Sequence, residues 1–93
     1  MLESKIEKDS VNEAKKYGWW SVKLLSTLHK GLHDRLFIGH GKLVLIEYKQ
    51  PGKKLSKMQE KVHKDFNNSG VKTYVCTSVN ETMSVLNNER IKQ

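Results

Sequence analysis

The stretch DRLFIGHGKLVLIEYK, residues 34–49, decides the fold. It contains two short apolar runs, Leu36–Ile38 and Leu43–Ile46, separated by a tetrapeptide with two glycines. Apolar runs bounded by glycines over so short a distance predict a β-hairpin. We place the centre of its turn between His40 and Gly41, so that the numbers of paired residues sum to 81.

This register brings three charged side chains together at the open end of the hairpin. Asp34 faces Glu47, and Lys49 projects to the same side because side chains alternate along a strand. Directly opposed residues have Cβ atoms roughly 5 Å apart, and two carboxylates that close are costly unless a cation lies between them. A hard divalent cation suits oxygen ligands, so the pattern predicts a site for Mg²⁺ or Mn²⁺. The alternative is that all three are solvated charges at a strand end.

The same residues resemble a known nuclease signature. Asp34, followed after a turn by Glu47-Tyr48-Lys49, is similar to the motif of the PD-(D/E)XK nucleases. Three stretches resemble the VRR-NUC branch of that superfamily in particular: Gly31–Leu36, Leu45–Lys49, and Leu55-Ser56 with Gln59. The similarity covers nearly the whole chain. Family members usually carry proline before the aspartate, where this chain has His33, and this difference concerns loop geometry more than chemistry.

The resemblance implies a role for each residue of the motif. Asp34 and Glu47 are expected to bind Mg²⁺ or Mn²⁺, with the Tyr48 main-chain carbonyl as a further ligand. Lys49 is expected to orient the attacking water and to stabilise developing charge.

Residues 2–17 predict a helix that Gly18 ends, with apolar residues at helical spacing: Ile6, Val11, Ala14 and Tyr17. Glu7 lies beside this stripe, an unexpected place for an acid unless it points into a site. In resolvase-like members of the resembled superfamily, an N-terminal helix supplies a further acid that supports the metal. Glu7 is the candidate for that role, and Glu3 is its rival. The alternative is a solvated acid favoured by the helix dipole.

Trp19–Leu25 predicts a strand, because it is rich in aromatic and branched residues. Its adjacent tryptophans point to opposite faces, so one of them is expected outside the core, as ordinary packing or as a partner surface. The polar loop 26–33 leads into the site, and we expect its His29 and Lys30 to face DNA. His29 and His33 have a spacing that suits zinc only on a helix, and the glycine between them argues against that helix.

Ser56 and Gln59 form a predicted capping box at the start of a helix. This helix is expected to run to Ser69 and to end at Gly70. Its predicted inward residues are Met58, Val62 and Phe66. Gln59 either serves only the box or also lies near the metal, as the resemblance implies. Both roles stay open at the level of sequence.

The C-terminal part predicts a strand at Val71–Thr77, with Cys76 buried, and a second capping box at Ser78–Glu81. The following helix is expected to bury Val79, Met83 and Leu86 and to fray over residues 87–93. The order αβββαβα describes one α/β domain, residues 1–93, built as a restriction-endonuclease-like sandwich around a mixed β-sheet. The second hairpin strand is apolar on both faces, so we expect it in the middle of that sheet.

Composition indicates a polyanionic partner. The 93 residues carry a net charge of +7, and six lysines lie between positions 49 and 64, among them Lys53, Lys54 and Lys57. This clustering favours nucleic acid over a membrane, because no basic helix with bulky apolar anchors is present. No apolar run approaches the roughly 20 residues that cross a bilayer, the N-terminus does not resemble a signal peptide, and a single cysteine fits a reducing compartment. We therefore expect a cytoplasmic protein, in the host cytoplasm if the chain is phage-encoded.

These features together predict a metal-dependent DNA endonuclease. No segment resembles a recognition helix for base edges, so we expect selectivity for DNA shape, with branched DNA such as four-way junctions as the first substrate. A junction presents two symmetric strands, which predicts a homodimer with Trp19 or Trp20 at its interface. The alternatives are a non-catalytic nucleic-acid-binding module on a nuclease fold and an RNA-directed nuclease.

Overall fold

A computed structural model of the protein describes residues 2–25 and 28–92. Seven elements follow one another in chain order: α1 (Glu3–Lys16), β1 (Trp20–Lys23), β2 (Arg35–Gly39), β3 (Lys42–Tyr48), α2 (Lys57–Asn68), β4 (Lys72–Cys76) and α3 (Val79–Ile91). This confirms the predicted order and the α/β class. Within the described residues, no helix is both long enough and apolar enough to cross a membrane.

The four strands form one mixed sheet in the order β1-β2-β3-β4. The first two pairings are antiparallel and the third is parallel. The β2–β3 hairpin has the predicted register, with Leu36 opposite Leu45 and Gly39 opposite Lys42. Its turn places both His40 (φ 52°) and Gly41 (φ 76°) in the left-handed region. Such turns match the twist of the flanking strands, and histidine is enriched among the non-glycine residues that adopt this conformation.

Helices cover both faces of the sheet, and β3 is an inner strand, as predicted. On one face, Val44, Ile46 and Tyr48 pack in a buried core with residues of the two terminal helices, Ile6, Ala14 and Leu86. The hydroxyl groups in this core are paired, because the Thr82 Oγ1 atom lies 3.1 Å from both the Tyr48 Oη and the Ser10 Oγ atoms. The other face carries Leu45 and Glu47 and is covered by α2.

The two tryptophans do point to opposite faces, and the structure shows which one is outside. Trp19 is buried, and β2 approaches it closely because Gly39 has no side chain: a Cβ atom there would lie 2.9 Å from the indole. Trp20 is 66% exposed. It pairs with Ile38, and Ile38 pairs with Leu43, which is also largely exposed. The part of the α2 face that lies towards β1 is therefore apolar and exposed to solvent.

Several helix predictions need correction. Tyr17 is exposed, because α1 ends one residue before it. Met58 is also exposed, because it packs against the backbone of Gly31 rather than on the sheet, and the buried residues of α2 are Val62 and His63. In α3 the buried residues are Thr82, Leu86 and Glu89. Met83 is half-buried and packs against the core, so its predicted inward position holds, and Val79 is half-buried.

The C-terminal helix differs from its prediction at both ends. Ser78 caps it by accepting a hydrogen bond from Glu81 N, but the Glu81 carboxylate accepts from Thr77 N and Thr77 Oγ1 instead of closing the box on Ser78. The helix also continues to Ile91 rather than fraying from residue 87. Cys76 is buried, as predicted, and burial raises the pKa of its thiol to about 11.

Candidate active site

Asp34 and Glu47 meet at the open end of the hairpin. Asp34 directly precedes β2, and its carboxylate accepts a hydrogen bond of 2.8 Å from Tyr48 N on β3. Its carbonyl oxygen accepts a bond from Leu24 N, so the residue is tied to the strands on both sides. Glu47 is the next-to-last residue of β3, and Lys49 follows the strand. The side chain of Tyr48 turns away into the core, which leaves only its main chain at the site.

The two carboxyl groups perturb each other. Glu47 is only 4% exposed, and burial, followed by repulsion from Asp34, raises its pKa to about 8, while the Lys49 ammonium partly opposes this rise. Burial also raises the pKa of Asp34, against the effect of the Tyr48 N–H bond. One oxygen of Glu47, Oε1, is buried and has no hydrogen-bond partner among the residues that the structure describes. The site is therefore a pair of acids whose charge is only partly compensated.

Gln59 has both of the roles that the sequence left open. Its Oε1 atom accepts a hydrogen bond from Ser56 N, and its own N–H donates to Ser56 Oγ, which completes the predicted capping box. Its Nε2 atom donates to Glu47 Oε2 over 3.1 Å. A single amide thus fixes the start of α2 and orients one of the two acids.

Glu7 is buried near the acid pair but is held by two cations. Lys23 Nζ donates to both of its carboxylate oxygens, at 3.0 and 2.8 Å, and Arg35 Nε donates to Oε2 at 2.6 Å. Lys23 Nζ also lies 3.9 Å from Asp34 Oδ1. Glu7 is thereby linked to Asp34 through a lysine. Its rival Glu3 accepts a longer bond, 3.3 Å, from Gln50 N at the exit of β3.

Sequence reasoning missed Lys23 and Arg35. The available signal was register: the two residues pair directly across β1 and β2, so they share the sheet face on which α1 lies. An acid on the inner side of that helix then requires cations on the strands beneath it.

His33 was predicted in a DNA-facing loop, and the structure corrects this prediction. Its ring is fully buried and lies 3.8 Å from the ring of His63 and 5.2 Å from that of Phe66, measured between centroids. Burial, with the charge of His63, lowers its pKa to about 4, and burial also lowers the pKa of His63. Both rings are therefore neutral at pH 7, and they anchor the residue before Asp34 to α2. Ser26 and Thr27 of the same loop lie outside the described residues.

The predicted nucleic-acid contacts are all solvent-exposed: His29, Lys30, Lys53, Lys54 and Lys57. Lys53 closes a turn by donating its N–H to Gln50 O, and Lys57 is the first residue of α2. This basic segment therefore lies between the end of β3, which carries Glu47, and the helix whose Gln59 contacts Glu47.

The donor set fits a divalent cation with few protein ligands. Within residues 2–25 and 28–92, no group of three or more His, Cys, Asp or Glu side chains is arranged to hold a metal ion. Two carboxylates and a main-chain carbonyl are nevertheless sufficient for Mg²⁺ or Mn²⁺, since Mg²⁺ usually keeps several waters. The Glu47 oxygen that has no partner among the described residues, and the raised pKa of Glu47, are compatible with a cation at this place.

Comparisons with known proteins concern the family and the fold of the chain. A family model described as the VRR-NUC domain matches residues 30–80, which include the hairpin and all of α2 and β4. The protein "Putative nuclease p44" of Acyrthosiphon pisum secondary endosymbiont phage 1 is 37% identical over 62 residues, which cover 66% of this chain and 67% of that protein. A solved structure titled "VRR_NUC domain" superposes with a TM-score of 0.82 at 22% identity, covering 91% of this chain and 94% of the other, and shows the same fold.

The metal-free protein should lose stability as the pH rises from 6.5 to 8. Over this interval folded Glu47 retains a proton that the unfolded chain, with a carboxyl pKa of 4.5, has released, so the free energy of unfolding falls. The fall is at most about 1.4 kcal/mol per pH unit for one proton. The histidine pair acts in the opposite sense, but only below its unfolded pKa of 6.5. Urea unfolding in EDTA at successive pH values measures this dependence.

Two isosteric variants sharpen the measurement. Glu47→Gln should flatten the dependence of the free energy of unfolding on pH. Glu60→Gln, at an exposed glutamate on α2, should leave that dependence unchanged. A wild-type stability that stays level or rises over the interval contradicts the assignment of a protonated Glu47.

Proposed function

Because the chain belongs to the VRR-NUC domain family, we propose that it is a metal-dependent endonuclease that hydrolyses phosphodiester bonds in DNA. One observation carries the proposal: the half-buried Asp34 and the buried Glu47 are brought together, with one Glu47 oxygen left without a partner among the described residues. A phosphodiesterase needs such a site, because the charge that develops on the phosphate must be balanced by a cation.

Asp34, Glu47 and the Tyr48 main-chain carbonyl are the residues that would hold Mg²⁺ or Mn²⁺. When bound, the ion supplies Lewis-acid stabilisation of charge on the phosphate. The chain itself prepares the ligands. Tyr48 N fixes one carboxylate by a hydrogen bond, and the Gln59 amide fixes the other.

Lys49 is the residue that acts on the attacking water. It follows Glu47 by two positions, and its ammonium is close enough to lower the pKa of that carboxyl. A lysine in this place orients the water by hydrogen bonding and opposes negative charge as the phosphate is attacked.

Glu7 would support the site through its charge. Its buried carboxylate holds the Lys23 ammonium 3.9 Å from Asp34 Oδ1. The negative charge of Glu7 raises the pKa of Asp34, and the Lys23 ammonium opposes this rise only in part. Glu7 would thus favour cation binding by adding negative charge beside the acid pair, without touching the ion.

The exposed basic residues would hold the substrate. Lys53, Lys54 and Lys57 stand next to the acid pair and can neutralise backbone phosphates without reading sequence, and His29 and Lys30 extend the same role to the preceding loop. Selectivity would then depend on DNA shape. We propose branched DNA, four-way junctions in particular, as the preferred substrate.

A symmetric homodimer would supply the two sites that paired nicking of a junction requires. Trp20 on the edge strand β1 and Leu43 on the inner strand β3 are exposed on one sheet face, with Ile38 of β2 between them. A continuous apolar face with an aromatic residue suits a self-complementary C2 interface.

Substitutions in the catalytic set should separate metal binding from cleavage. Asp34→Ala and Glu47→Ala should abolish both, because each removes a ligand, whereas Lys49→Ala should abolish cleavage and keep metal affinity. Calorimetry with Mn²⁺ measures metal binding. Cleavage is measured, with and without metal, on labelled substrates: four-way junction, flap, duplex, single strand and RNA. Asp65→Ala, at an exposed carboxylate on α2, is the control. Full activity in any one of the three variants would exclude that residue, and cleavage of RNA alone would redirect the substrate assignment.

Replacing Lys53, Lys54 and Lys57 together by alanine should weaken DNA binding and flatten its salt dependence. Each lost phosphate contact lowers the slope of log K against log salt by about 0.9 on duplex DNA. The control removes the same charge elsewhere, at the last residue of α1 and the first residues of β3 and β4: Lys16, Lys42 and Lys72. Equal slopes in the two triple variants would place the DNA on another surface.

Light scattering at micromolar concentration should give the mass of two chains. Trp20→Lys should yield monomers, because it places a charge on the proposed interface. These monomers should cut one strand of a junction at a time and should no longer make paired cuts. Ile91→Lys, at an equally exposed apolar residue on α3, should leave the mass unchanged. A monomeric wild type that still makes paired cuts would rule out the dimer.

A further inference from the structure

A cavity of about 370 Å³ lies between α1 and the first two strands, on the opposite side of the sheet from α2. Ser4, Lys8 and Asn12 line its helical wall at a spacing of four residues, and Lys23 and Arg35 line its strand wall. The volume lies within the range of about 300–1,000 Å³ that is typical of ligand pockets. We call it the α1–β1 cavity.

The α1–β1 cavity has an excess of positive charge. Three cations border it against the single carboxylate of Glu7. Lys8 makes no ion pair with any residue that the structure describes, and within the same residues Arg35 donates only through Nε, to Glu7. The two terminal amino groups of the Arg35 guanidinium therefore remain for a ligand, and this planar fork matches the oxygens of a phosphate.

The cavity shares one residue, Lys23, with the surroundings of the acid pair. Lys23 belongs to its wall and also lies 3.9 Å from Asp34 Oδ1. On the other face of the sheet, Gln59 connects Glu47 to α2, where the basic segment Lys53–Lys57 ends. Cations thus flank the two carboxylates on both sides.

We propose that the α1–β1 cavity binds a backbone phosphate of the DNA, on the side of the scissile bond opposite to Lys53–Lys57. The inference rests on the function proposed above. A strand held by its phosphates on both sides of the carboxylates is fixed in position over them, whereas contacts on one side alone leave the cut bond free to move.

Two matched pairs of variants test the cavity in metal-free buffer with EDTA, by fluorescence anisotropy of labelled duplex and four-way junction over a salt series. Lys8→Ala should lower the salt slope by about 0.9 and weaken binding roughly fivefold to tenfold at 0.1 M salt, whereas Lys16→Ala, the same change at the end of the same helix, should do neither. Asn12→Asp, which adds a negative charge inside the cavity, should also weaken binding. Asn87→Asp, on the exposed side of α3, should not.

The outcomes separate this inference from the proposed function. The cavity assignment alone is overturned if the wild-type protein cuts DNA with Mn²⁺ but the cavity variants behave like their controls. In that case Lys8→Ala has the same salt slope as Lys16→Ala, and Asn12→Asp has the same DNA affinity as Asn87→Asp. A wild-type protein that neither binds nor cuts DNA overturns the proposed function and this inference together. All variants change exposed side chains, so thermal melting should show native stability.

Discussion

Holding two carboxyl groups side by side, one buried and the other half-buried, is the constraint on which the site depends. The hairpin register brings Asp34 and Glu47 together, and the surrounding groups each compensate part of the resulting charge. A backbone N–H, a side-chain amide and a lysine ammonium serve this purpose, and each comes from a different element. The compensation is incomplete, as the raised pKa of Glu47 shows, and in the proposed function this deficit would favour the binding of a cation.

The central part of the fold could be predicted from sequence because its signals are local. Glycines at the turn and alternation along the strands were sufficient for the hairpin register and therefore for the pairing of the acids. The capping box at Ser56 fixed the start of α2 in the same way, and with it the position of Gln59. The inner position of β3 followed from its two apolar faces.

The remainder depends on contacts between distant segments. Alternation predicts that the two tryptophans oppose each other, but only the pairing of β1 with β2 decides that Trp19 is the buried one. The ion pairs of Glu7 depend on how α1 lies across those strands. Met58 has the spacing of a buried residue on α2, yet its side chain packs against Gly31, which is far away in sequence. Single-segment patterns contain none of this information.

The contact between the imidazole rings of His33 and His63 makes the approach to Asp34 depend on a residue 30 positions away in sequence. A substitution at position 63 therefore removes part of the packing that supports residue 33. The ring of a proline at position 33 would stiffen the same approach by itself, so His33→Pro would release position 63 from this requirement.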